Sequence, residues 1–364
     1  MSFRITRYLP LAFAVVFSGG IATAVEFQYK SDDIAIAPAR ADEPLRESFS
    51  LDAAVDYVEK GTTAWQNARQ CISCHTNGAY YQFRPALSPM LGTPPKRHWE
   101  FLKQELIESK TLDRETALEG LRPTQAAVLA HGMAEWDYHV EGKLRDETRD
   151  ALRIMLSLQR EDGSWGNDDC WPPLESSNYH GATVAALALA TAPDFVSVAS
   201  AEERVGIEKL RRYLREETPP HDYARLLLLW VSSRMEGLVD SAQRETLIAM
   251  ALKHQQDDGG WSIRSFSAPE SWGDGGRAER LRREADFENP PSDGHQTGLV
   301  LLVLREAGLP SSHPALQRGV TWLKANQRVS GRWWTESLNT DKYHYITYSG
   351  TLYPLAALYA CDAL

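Results

Sequence analysis

Tyr179-His180-Gly181-Ala182-Thr183-Val184-Ala185-Ala186-Leu187-Ala188-Leu189 and Gly294-His295-Gln296-Thr297-Gly298-Leu299-Val300-Leu301-Leu302-Val303-Leu304 share one design: a short polar start, then a run apolar on every side. A helix of that composition has no face to offer water, so it must be buried all round. Each run follows an amphipathic, charge-rich stretch, and the alternation recurs six times along the chain. The outer, amphipathic members fall near 51–61, 96–110, 144–159, 201–216, 240–255 and 313–327, and the inner members near 75–88, 122–136, 180–192, 221–235, 295–307 and 346–361. Six buried helices, each with a half-wetted partner, fit two concentric rings. The expectation is an all-α protein, an α6/α6 toroid occupying 49–364 as a single domain.

The loops from outer to inner helices carry a second repeat. Gln159-Arg160-Glu161-Asp162-Gly163-Ser164-Trp165 and Gln255-Gln256-Asp257-Asp258-Gly259-Gly260-Trp261 share Gln-x-x-Asp-Gly-small-Trp, and Gln327-Arg328-Val329-Ser330-Gly331-Arg332-Trp333 is a degraded third copy. Gln near a helix C-terminus can bond open carbonyls, Asp-Gly makes a turn, and Trp packs on a neighbouring repeat. These residues are read as structural clamps. Together with the six hairpins they resemble the α/α-toroid repeats of squalene–hopene cyclases and of protein prenyltransferase β subunits, over about residues 50–364. The resemblance implies a barrel with a central cavity, which in those families holds an isoprenoid.

The chemistry of those families transfers poorly. Class II cyclases protonate an alkene with the central acid of Asp-x-Asp-Asp-Thr, and the matching place here, Asp293-Gly294-His295-Gln296-Thr297, puts His295 at the donor position. Alkene protonation needs a strongly acidic carboxylic acid, which an imidazolium does not replace. Asn167-Asp168-Asp169 lies in the preceding loop without the leading Asp, and the chain has one toroid where those cyclases have two. Prenyltransferases bind zinc through Asp-x-Cys and a later His. Asp168-Asp169-Cys170 with His180 offers the same residue types at a different spacing, so zinc is the lesser reading.

Within the first inner repeat stands Gln70-Cys71-Ile72-Ser73-Cys74-His75-Thr76-Asn77-Gly78-Ala79-Tyr80-Tyr81. Cys71-x-x-Cys74-His75 resembles the covalent haem site of c-type cytochromes. In that chemistry two thiols add to the haem vinyl groups, and one helical turn can present both sulfurs to one porphyrin edge with the next imidazole under the iron. With four Cys and ten His in the chain, the pattern arises by accident on the order of once in a thousand such sequences. A zinc site lacks a second Cys-x-x-Cys or His-x3-His nearby to complete four ligands. A Cys71–Cys74 disulfide would close too short a loop to constrain the unfolded chain much. The resemblance therefore implies haem c, with His75 as proximal iron ligand.

The N-terminus agrees with this. Arg4 and Arg7 precede an apolar run from Leu9 to Phe17, and Ala22-Thr23-Ala24 is a small-x-small cleavage signal, so 1–24 reads as a secretory signal peptide and the mature chain as periplasmic or otherwise exported. The competing reading is an uncleaved anchor, since Tyr8–Val25, about 18 residues, approaches the length of a span. No later run is apolar enough to cross a membrane. Residues 25–48 are polar, without sustained period, and read as a linker. Losing Arg4 and Arg7 with the leader takes the formal charge from −10 to −12, which argues against nucleic acid as a partner. Cys170 and Cys361 are left over, paired or as buried thiols.

For the second axial position the sequence offers His180, His295 and His344 near inner-helix N-termini, with His221 also in that ring. Helix dipoles there favour the neutral imidazole that a metal needs. Met90 is disfavoured because fifteen residues of helix after His75 span about 22 Å. Tyr80 or Tyr81 is expected as a wall of the haem pocket, and the 262–292 insert as a lid, a docking surface or a solvated loop. The leading expectation is an exported haem c protein on a toroid, working in electron transfer or haem redox chemistry with a partner protein or small substrate. The other is a toroid that binds or transforms an isoprenoid-like apolar ligand without haem.

Overall fold

A computed structural model describes residues 28–166, 171–174 and 177–364. The leader, Asp168, Asp169 and Cys170 lie outside the described residues. Twelve principal helices alternate as expected. The outer ones are α1 (Leu51–Arg69), α3 (Lys96–Thr111), α5 (Asp146–Ser157), α7 (Ala201–Glu216), α9 (Ser241–Lys253) and α11 (Pro314–Ala325). The inner ones are α2 (Asn77–Phe83), α4 (Arg122–Trp136), α6 (Asn178–Thr191), α8 (Asp222–Arg234), α10 (Gly294–Glu306) and α12 (Ser349–Ala360). Each inner helix packs on the next, and α12 returns to α2, so the inner ring closes. The fold is an all-α toroid. Its inner helices are buried nearly throughout, as their composition requires.

The clamp loops add hydrogen bonds to the expected packing, and the tryptophan makes the same one in all three copies. The indole Nε1–H of Trp165, Trp261 and Trp333 donates to Met155 O, Ala251 O and Leu323 O, each at 2.8 Å, so the tryptophan satisfies the open end of its own outer helix. The glutamine instead reaches onward. Gln159, Gln255 and Gln327 donate to the glycine carbonyl of their own loop and onward to the next outer helix, to Gly206 O in its second turn and to Ala315 O and Ser50 O at its start. Gln327 thereby ties the last loop to the first helix and closes the outer ring.

Gly331 in this third loop has φ 95°, and a Cβ there would stand 2.0 Å from Ala53 O. Gly331→Ala combines left-handed strain with a collision against fixed backbone. It is expected to destabilise the fold by at least about 2 kcal/mol, read by urea unfolding.

Residues 28–48, expected as a linker, are docked rather than loose. Tyr29–Ser31 and Ile34–Ile36 pair antiparallel, Tyr29 stacks on Trp65 at 5.1 Å, and Ile36 and Ala39 are buried. Buried Arg332 pairs with Glu43 at 2.7 Å and donates to Ala37 O and Pro38 O. Two three-residue strands are too short to show a period in sequence, and their apolar partners lie on the toroid.

The 262–292 insert is likewise folded down. Ile263, Phe266, Trp272 and Leu281 are buried, Trp272 packs on His221 at 4.7 Å, and Arg280 pairs with Asp341 at 2.6 Å.

Candidate functional site

The Cys71–His75 segment is a loop held by side chains, and helix α2 begins only at Asn77. Trp65 Nε1–H and Asn77 Nδ2–H donate to Cys71 O at 3.1 and 3.0 Å, Gln125 donates to Ile72 O at 2.8 Å, and Ser73 N–H donates to Asn77 Oδ1 at 2.8 Å. This scaffold replaces the helical turn expected for the motif, because Asn77 captures the Ser73 amide before a helix can start. The two sulfurs consequently do not share one edge. Cys71 and His75 line a cavity of about 310 Å³ at the barrel mouth, and Cys74 lines a smaller chamber on the barrel axis. Leu174 belongs to both walls and stands between them. None of Cys71, Cys74 and Cys361 is in a disulfide.

The mouth cavity is mainly apolar. Trp65, Trp171, Leu338, Tyr343, Tyr345 and Ile346 form much of it, and Asn339 Nδ2–H to Pro172 O at 2.8 Å holds two of its walls together. Only Trp65 of these lies near the motif in sequence. The His75 ring stacks on Tyr345 at 5.1 Å and meets Trp65 edge-on at 4.9 Å. Its Nδ1 is 2.7 Å from Thr76 Oγ1, and the tautomer that donates there leaves the Nε2 lone pair available. Burial holds the imidazole pKa down at about 4, so the ring is neutral near neutral pH, the form a metal binds.

The ring of histidines expected at one mouth divides. His295 has both nitrogens committed, Nδ1 to Ser349 Oγ at 2.9 Å and Nε2 to Tyr223 Oη at 3.1 Å. His344 Nδ1 accepts from Ser337 N–H at 3.0 Å, and the ring packs on Trp334. His221 caps α8 by accepting from Ala224 N–H. His180 alone among these lines the chamber that Cys74 lines. Burial is the main cause that keeps His180, His221 and His295 neutral. Among the described residues no group of three or more His, Cys, Asp and Glu is arranged to hold a metal ion.

Tyr80 and Tyr81, expected as pocket walls, face the outer ring instead: Tyr80 Oη donates to Glu59 at 2.8 Å, and Tyr81 bonds Gln66. Met90 lies within the short helical turns after α2 and lines neither cavity.

Behind Cys71, Glu105 accepts from Ile72 N–H at 3.3 Å, and burial followed by repulsion from Glu108 raises its carboxyl to about 7. A raised acid binds its proton more tightly in the fold than in the unfolded chain. Its stabilisation is complete below the ordinary glutamate range and is lost as pH rises through about 7. Glu105→Gln should remove that loss, a gain of order 1 kcal/mol at pH 8 for a partly exposed group and little at pH 4, measured by urea unfolding at both values.

No helix among the described residues is long and apolar enough to cross a membrane. No curated protein matches the sequence. Residues 231–362, which hold α9 to α12 and two of the three clamp loops, match the family model described as squalene-hopene cyclase C-terminal domain. Over that third of its length the all-α toroid is similar to the C-terminal domain of squalene-hopene cyclases.

Proposed function

We propose that this protein is an exported haem c protein whose macrocycle is held at the toroid mouth by Cys71, Cys74 and His75 and which serves redox chemistry. The observation that carries the reading is the shared cavity: Cys71 and a neutral, Nδ1-anchored His75 stand in the same apolar hollow. Cys71 and Cys74 would supply the thioethers, which requires the Cys74 side chain to turn past Leu174 toward the mouth. His75 Nε2 would ligate the iron, with Thr76 fixing the ring and Trp65 and Tyr345 keeping water from it. A bound haem supplies one-electron chemistry at its iron, with a potential set by axial ligands and by the apolarity around it. Of the second-ligand set His180, His295 and His344, the first is the best placed, since it adjoins Cys74 and has an unpartnered Nδ1.

A second reading is supported by the apolar walls and by the family match: the cavity takes an isoprenoid-like apolar ligand and the cysteines are structural. The two part on one measurement. Protein exported with the haem-attachment machinery should give a pyridine haemochrome spectrum of the thioether type and a mass gain of one haem. A colourless protein of unmodified mass removes the haem reading and leaves the apolar-ligand one.

A further inference from the structure

The axial chamber beneath Leu174 is lined by Cys74, Val128, His131, His180, Trp230 and Tyr353 among others, with about 20 Å³ of room for the centre of a water-sized sphere. Three of its polar residues are more than nine-tenths buried and keep an atom without a hydrogen-bond partner: His131 Nδ1, His180 Nδ1 and Trp230 Nε1. Burying such atoms unpaired is costly, and two to four polar partners around room for one small molecule is the pattern of an occupied polar site.

The His131 ring is also oriented. Its Nε2 lies 3.2 Å from Glu135 Oε1, and Glu135 is itself fixed by Arg234 at 3.0 Å and Thr191 at 2.9 Å. A carboxylate that receives the Nε2–H fixes the tautomer and leaves the Nδ1 lone pair, as the acid of a catalytic triad does for its histidine. Trp230 Nε1–H can only donate. The chamber thus presents a fixed donor, Trp230 Nε1–H, and a fixed acceptor, His131 Nδ1.

We propose that this chamber is a binding site for one small neutral hydroxyl compound of one or two non-hydrogen atoms, of the water, methanol and hydroperoxide class, which donates to His131 Nδ1 and accepts from Trp230 Nε1–H. The site stands on the chamber's own geometry and does not require a haem at the mouth.

The test is an NMR titration of the ¹⁵N-labelled full mature chain with methanol, following the Trp230 indole resonance, identified by its loss in Trp230→Phe. A saturable shift is expected with methanol and none with tert-butanol, which is too large. His131→Gln keeps a donor toward Glu135 but has no acceptor at the Nδ1 position, whereas His131→Asn places its Oδ1 there and gives up the Glu135 contact. Loss of one hydrogen bond should weaken methanol binding about tenfold in His131→Gln and leave His131→Asn within about threefold of the native chain. A Trp230 resonance that methanol does not move, an equal response to tert-butanol, or equal titrations of the two variants would overturn the proposal.

Discussion

Glu135→Ala is expected to lower unfolding stability by about 2–4 kcal/mol, because it strips buried donors of their acceptor. Glu135 is 2% exposed and is the hub of the barrel's far end. It joins α4 to α6 through Thr191, to α8 through Arg234 at 3.0 Å, and through Arg234 to Glu306 of α10 at 2.6 Å, while His131 and His139 flank it at 3.2 Å. Removing it leaves buried His131 and Thr191 without their acceptor, while the partly exposed Arg234 keeps Glu306 and the partly exposed His139 can turn to water. Glu135→Gln keeps the volume and one acceptor and should fall between. Burial pushes this carboxyl up, but His131, His139 and Arg234 more than reverse that and hold it well below the ordinary range. For a depressed acid the stabilisation is complete above the ordinary glutamate pKa and is lost as pH falls through the lowered one. Urea unfolding should therefore show the full gap between native and variant at neutral pH and a shrinking gap in strong acid.

The second large effect is on haem attachment. Under the proposed function, Cys71→Ala/Cys74→Ala made with the attachment machinery should carry no covalent haem, since both thioethers are gone. His75→Ala should keep the thioethers, yet lose the native axial ligation and shift the absorption spectrum. Thr76→Val, which removes the oxygen 2.7 Å from Nδ1, should leave attachment intact and move the potential. Equal haem content in the native chain and the double-cysteine variant would contradict the thioether assignment. Circular dichroism on each variant separates loss of haem from loss of fold.

The clamp tryptophans, the glycines at 163, 259 and 331 and the all-apolar inner helices each announce themselves in the chain. Repetition made the toroid legible, because each repeat faces the same packing problem and solves it with the same residues. Most inner and outer helix boundaries were legible to within about two residues, since caps such as Ser177, Ser200, Asp240 and Asp293 stand where the apolar periods begin. Two were not: α1 runs on to Arg69 where 61 was expected, and α2 is shortened from both sides by Asn77 and the prolines at 85 and 89.

The sequence by itself determined the double ring of helices and the Cys71-x-x-Cys74-His75 pattern, for both are local: burial all round is written in composition, and the motif in adjacent residues. Only the tertiary structure decided what faces what. Tyr345 and Trp171 reach the mouth cavity from distant repeats, Leu174 parts Cys71 from Cys74, and Glu135 meets Arg234 across 99 positions. The physical reason is ring closure, which brings together residues whose separation in the chain carries no period, so no local pattern could foretell which nitrogen would be left without a partner.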